Sequence, residues 1–86
     1  MTEPISVRVD LEVPSAYVKY SKSASIETRD IVGGGAVAYD LDELGVIVGL
    51  EVLWIDDPGH IEAARAFAGQ HNLAFPRDLG GNLVAA

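Results

Sequence analysis

The chain has 86 residues, no cysteine, and thirteen acidic against six basic side chains, for a formal net charge of −7. That length allows one domain burying only about 60 to 65% of its unfolded surface; without disulfides or thiolate-bound zinc to reinforce it, the composition predicts self-association. The negative balance disfavours direct binding to nucleic acid phosphates or anionic lipid and favours a basic protein partner.

The opening MTEPISVRVD lacks the basic start and continuous apolar core of a signal peptide, and no segment reaches the roughly 20 apolar residues of a bilayer span, so cytoplasmic residence and no membrane partner are expected. From Ile5 to Val13 apolar and polar residues alternate strictly, which predicts a half-buried strand with Ile5, Val7, Val9, Leu11 and Val13 on one side. Pro14-Ser15 reads as a turn, and Ala16, Val18 and Tyr20 alternate with Tyr17, Lys19 and Ser21 in a second strand. That alternation divides the basic-aromatic cluster Tyr17, Lys19, Tyr20 and Lys22 between two sheet faces.

Ile26 to Val32 forms a weaker, charged strand, Gly33 to Gly35 ends it, and Ala36 to Asp40 reads as a short fourth strand. Val46 to Ile55 is the most β-prone run. One of its faces would carry Val46, Val48, Leu50, Val52 and Trp54, the other Ile47, Gly49, Glu51, Leu53 and Ile55. Both are mostly apolar, the pattern of a strand covered on both sides. One helix covers one face, so the second is expected to be a subunit interface, with Ile47, Leu53 and Trp54 as its anchors.

The period then changes. Asp56 or Asp57 can cap a helix, Pro58 suits its first position, Glu62 places negative charge near its positive end, and Ile61, Ala64, Phe67 and Ala68 fall on one stripe. The helix should run from about Pro58 to Gln70 and stop at Gly69 or Asn72. The remainder is expected to dock through Leu73 and Phe75 and then fray.

Several constellations resemble functional motifs. Gly33, Gly35 and Ala38 match the G-x-G-x-x-A dinucleotide fingerprint, with Asp56 or Asp57 near the place of a ribose-binding acid. Only 36 to 44 could supply the following helix, too short for a crossover and rich in strand formers, so the glycines read as a turn and no cofactor is expected. Asp40, Asp42, Gly45 and Glu51 occupy positions one, three, six and twelve of a calcium loop, but Leu44 at position five offers no oxygen. An acidic hairpin turn with Gly45 at positive φ explains the same residues, leaving Asp40 and Asp42 as the metal candidates.

Glu51 permits two readings: a buried carboxyl with a raised pKa suited to proton transfer, or a residue near an edge or paired with Arg8, Lys19 or Arg29. His60 either pairs with the aspartates at the helix start or lies on a solvated first turn. His71 is eleven residues further on, about 16 Å along a helix, so one metal ion cannot bridge the two histidines. Glu51, His60 and Asp56 are thus the candidates for acid-base catalysis.

Three segments in order, Val9-Asp10, "AYVKY" at 16 to 20 and "VAYDLDELGVIVGLEVL" at 37 to 53, resemble the small bacterial family catalogued as domain of unknown function 2283. Tyr39-Asp40 with Gly49-Leu50-Glu51-Val52-Leu53 is the most specific part, and about half the chain is covered. Pro14-Ser15, a longer turn at 40 to 45, and the C-terminal helix and tail depart from the family pattern. The resemblance implies a compact antiparallel sheet with a propensity to associate and carries no activity and no catalytic residues; some relatives resemble antitoxin partners of small basic toxins, an analogy that fits the acidic charge.

The expected fold is α+β: a single domain over 1–86, with a small twisted antiparallel meander of about five strands at 5–55, one C-terminal helix at 58–70 and a loose tail at 73–86. The expected function is a non-catalytic, self-associating interaction module, an antitoxin-like or accessory protein with an acidic surface. The alternative is a small enzyme or ligand-binding protein with an acid-base pocket at the sheet-helix or subunit interface.

Overall fold

The computed structural model describes residues 1–79. Five antiparallel strands, β1 (Ser6–Asp10), β2 (Ser15–Lys19), β3 (Glu27–Val32), β4 (Val37–Leu41) and β5 (Ile47–Leu53), precede one helix, α1 (Pro58–Gln70). They form one sheet in the order β1-β2-β5-β4-β3. The β1–β2 hairpin docks along β5 of the β3-β4-β5 run, so the β2–β3 connection crosses to the opposite edge. This is the expected α+β architecture. Among the described residues no helix is long and apolar enough to cross a membrane.

One face of the sheet and one stripe of α1 make the core. Ala16, Val18, Tyr20, Val37, Leu50 and Val52 pack with Ile55, Ile61, Ala64, Ala68, Leu73 and Leu79. The helix starts where Asp57, in extended conformation, accepts the Gly59 N–H at 2.8 Å, with Pro58 at the first position. It ends in a Schellman motif: Asn72 has φ +58°, Leu73 N–H donates to Ala68 O at 2.8 Å, and Asn72 N–H donates to Gly69 O at 3.3 Å. Glu62 lies beyond the first turn and stands 3.7 Å from Arg65, so it does not serve the helix dipole as expected.

The tail docks through buried Leu73 and half-buried Phe75, and the Tyr20 hydroxyl donates to Ala74 O at 2.7 Å. Residues 80–86 of the expected loose tail lie outside the described residues.

Two local irregularities overturn the face assignment expected for β5. Asp40 stands opposite Gly49 but Leu41 opposite Ile47, a register shift of the kind a β-bulge makes. Ile47 therefore packs against the core instead of joining Glu51 and Leu53. At the other end Trp54 has φ +56°, a conformation costing an L-residue about 1–2 kcal/mol. Leu53 N–H reaches Ala36 O on the β4 side, whereas Ile55 N–H reaches Pro14 O on the β2 side, so the bend at Trp54 reverses the chain's facing. Ile55 becomes a core residue and Trp54 is left 53% exposed.

β1 also departs from expectation. All five of its residues are exposed instead of half-buried, because β1 is an edge strand and α1 packs over β3, β4 and β5.

Candidate functional site

Two neighbouring features carry chemistry that the fold itself does not consume: the sheet face turned away from α1, and the free edge of β1. The register lays the open face out in rows. Lys19, Gly49, Asp40 and Thr28 form one; Arg8, Tyr17, Glu51 and Ala38 form the next. This face was expected to be apolar and covered by a second subunit, but its centre is a polar network within the chain.

Tyr17 leans from its own row across Gly49, and its hydroxyl donates to Asp40 Oδ2 at 2.7 Å. Thr28 Oγ1 donates to Asp40 Oδ1 at 2.6 Å. A Cβ at Gly49 would overlap the Tyr17 hydroxyl and ring, so the glycine is what admits the aromatic ring at the sheet surface. Burial, followed by the hydrogen bond to Asp40 and the charges of Asp40 and Glu51, pushes the Tyr17 phenol well above its ordinary value. It therefore stays protonated and acts as a hydrogen-bond donor.

The sequence candidates fall in separate places. Glu51 is exposed on the open face, in an open groove of about 570 Å³ that Arg8, Asp10, Ser15 and Tyr17 also line; neither His60 nor Asp56 lines it. His60 sits on α1, across the sheet from Glu51. It is half-buried instead of solvated, with Nδ1 2.7 Å from Leu53 O and Nε2 3.6 Å from Asp57 Oδ2. Asp56 is exposed. The carboxyl of Asp40 is held by Tyr17 and Thr28, while Asp42, 8% exposed, accepts the Leu44 and Val46 N–H groups on Oδ1, both at 2.9 Å.

The Val46 N–H holds the Asp42 carboxyl below its usual range; burial opposes this, and the Leu44 N–H and Ser23 side chain add to it. Gly45 completes that turn at φ +79°. Asp40 and Asp42 thus belong to two different hydrogen-bond networks, and among the described residues no three metal-ligating side chains gather to hold an ion. Gly33 to Gly35 form a short 3₁₀ turn that leads from β3 into its antiparallel neighbour β4, with no helix following.

Of the interface candidates, Trp54 is exposed, Leu53 partly buried, and Ile47 packed on the core. The sequence singled out Tyr17 in its basic-aromatic cluster but did not join Tyr17 and Thr28 to Asp40. The lone glycine within the β-prone run 46–55 was the available signal, since such a glycine marks a close approach.

The β1 edge is built differently. Val7 and Val9 of β1 are exposed at 40% and 37%; the strand expected to run to Val13 stops at Asp10, and Ile5 just before it and Leu11 and Val13 in the turn at 11–14 are exposed apolar neighbours. Val7 and Val9 stand opposite buried Val18 and Ala16, so they extend the core face past the reach of α1. Tyr20 N–H reaches Val48 O at 2.7 Å, so Tyr20, Val18 and Ala16 turn their main-chain groups toward β5, and Lys19, Tyr17 and Ser15 turn theirs toward β1. Ser6, Arg8 and Asp10 answer them. Val7 and Val9 are left presenting N–H and C=O outward, and among the described residues no strand pairs there.

Comparison with protein-family models, curated proteins and solved structures finds no match for this chain.

Proposed function

We propose that this chain is a non-catalytic, self-associating interaction module of the cytoplasm that engages polypeptide through the β1 edge. The observation that carries this reading is the coincidence, at β1, of outward-facing main-chain groups with exposed Val7 and Val9, flanked by exposed Ile5 and Leu11. Each alone is common on protein surfaces. Together they supply a hydrogen-bond ladder for affinity and apolar area for stability, the mode of β-strand addition.

The size of the domain supports the same reading, since 86 residues without disulfides gain from a second hydrophobic contact. The charge of −7 favours a basic protein as any further partner, in keeping with the antitoxin analogy drawn from the family resemblance. The acid-base alternative has less support, because Glu51 and His60 stand on opposite sides of the sheet and the Tyr17 phenol is held protonated.

The test is sedimentation velocity of the full chain over a concentration series, beside Val9→Lys. The wild type should form a finite associated species. The substitution should weaken it about 100-fold by placing a charge in the stripe on every copy. A wild type that sediments as a monomer at the highest concentration overturns the self-association.

A further inference from the structure

We propose that the β1 edge is completed by β1 of a second copy, antiparallel about a two-fold axis at Val9, with Arg8 of each copy opposite Asp10 of the other. This rests on the interaction-module reading and goes further by fixing occupant, symmetry and register.

The outward main-chain groups belong to the odd-numbered residues Val7 and Val9, so the new ladder must be bonded through these and their even-numbered neighbours must form the close, non-hydrogen-bonded pairs. Any slip of one residue would set the Val7–Val9 stripe of one copy against the polar face of the other. Only slips by two remain.

Charge then selects among them. With Val9 opposite its own counterpart, Val7 faces Leu11, and Arg8 faces Asp10 twice at the shortest cross-strand spacing. Slipping by two in one direction sets Arg8 against Arg8; in the other it sets Asp10 against Asp10 and moves Arg8 opposite Glu12. Like charges directly opposite are destabilising. The first of these registers loses two attractive pairs and gains a repulsive one; the second gains a repulsive pair and exchanges Asp10 for Glu12, which lies in the turn beyond β1.

The same arrangement places Val7, Val9 and Leu11 of both copies on one face, between the two helices, and makes a continuous ten-stranded sheet. Asp10 is free to take part: its Oδ1 accepts the Glu12 and Val13 N–H groups at 2.9 and 3.4 Å, leaving Oδ2 for the arginine. The occupant is a copy of this chain because one strand supplies both members of each pair in equal number.

The experiment uses charge reversal on the full chain. Arg8→Asp alone and Asp10→Arg alone should each weaken the dimer about 30-fold, because each turns two attractive pairs into two repulsive ones. An equimolar mixture of the two should restore association to within a few-fold of wild type as a mixed dimer, since every facing pair again has opposite sign; this recovery also demonstrates that each variant folds. Because the chain has no cysteine, Val9→Cys offers a second measurement. Facing Cα atoms in a hydrogen-bonded pair lie about 5.5 Å apart, within disulfide reach, so oxidised glutathione should convert Val9→Cys to a covalent dimer much faster than Val7→Cys.

Reversal variants that dimerise like wild type, or equal cross-linking at the two cysteines, would overturn the register while leaving the interaction module standing. A monomeric wild type would overturn both.

Discussion

The two edges of the sheet solve the same problem in opposite ways. β3 and β1 both end the ladder and both are largely exposed. β3 presents Glu27, Thr28, Arg29 and Asp30, its Arg29 Nε lies 2.6 Å from Glu27 Oε2, and its register shifts between Asp30 and Val32. Charges and an irregular register are the usual means of keeping a strand edge from recruiting another. β1 keeps an even register with β2 and carries the apolar stripe. Two open edges would join head to tail without limit, whereas one open and one guarded edge allow only a closed, two-fold contact.

The largest effect is expected from opening the guarded edge. Glu27 and Arg29 stand opposite Leu41 and Tyr39, on the helix side of the sheet, so Glu27→Val with Arg29→Val would give β3 a stripe like that of β1. The expected outcome is growth beyond the dimer, seen as rising light scattering at concentrations where the wild type remains finite. Should the double variant stop at the same size as the wild type, the register shift at Asp30 would be the sufficient guard and the charges dispensable.

Much of this asymmetry was legible in the sequence, because it depends on local pattern. Strict alternation marked β1, the charge of Glu27, Arg29 and Asp30 marked a weaker strand, and the sequence from Asp57 to Gln70 carries its own cap, first-turn proline and apolar stripe. The facing of β5 was not legible. It depends on the shift beside Leu41 and the positive φ of Trp54, and neither glycine nor asparagine announces that second irregularity. The polar network was hidden for another reason: Tyr17 and Asp40 are 23 residues apart, and only the order β2-β5-β4 puts a glycine between them. As a result the open face was expected to be apolar, and the exposed apolar residues of β1 were expected to be half-buried.

A smaller effect sharpens the contrast between the open face and the β1 edge. Tyr17→Phe removes a hydrogen bond to an ionised carboxylate and should cost the folded chain about 1–2 kcal/mol in urea denaturation. Gly49→Ala should cost a similar amount by displacing the ring from its place. The double variant should cost clearly less than the sum, because both changes break the same contact. Gly49→Ala should leave the association constant unchanged, since β2 separates β5 from β1. A full additive loss would mean that Gly49 serves the backbone and not the aromatic ring.

The smallest effect concerns the flank of β1, where Tyr20 holds the tail. Its hydroxyl donates to Ala74 O, while Thr2 N–H donates to Asn72 O at 3.0 Å and Ala74 N–H to Thr2 O at 2.8 Å, so the N-terminus and tail close against each other beside the edge strand. Burial, with the Glu3 charge adding to it, pushes the Tyr20 phenol up to about 12. An unfolded tyrosine ionises near 10. Because the folded value is raised, the contribution of Tyr20 is fully present below pH 10 and is lost as pH rises from about 10 through 12. Tyr20→Phe should therefore be about 1 kcal/mol less stable than wild type at pH 8, where the hydrogen bond is intact. The gap should narrow across that alkaline window. The comparison is made in the Tyr17→Phe background, so that the second raised phenol does not titrate alongside, and by urea denaturation at matched pH, so that all shared ionisations cancel. A gap that stays constant from pH 8 to 11.5 would show that Tyr20 ionises as freely in the folded chain as in the unfolded one, and that the bond to Ala74 does not restrain the tail.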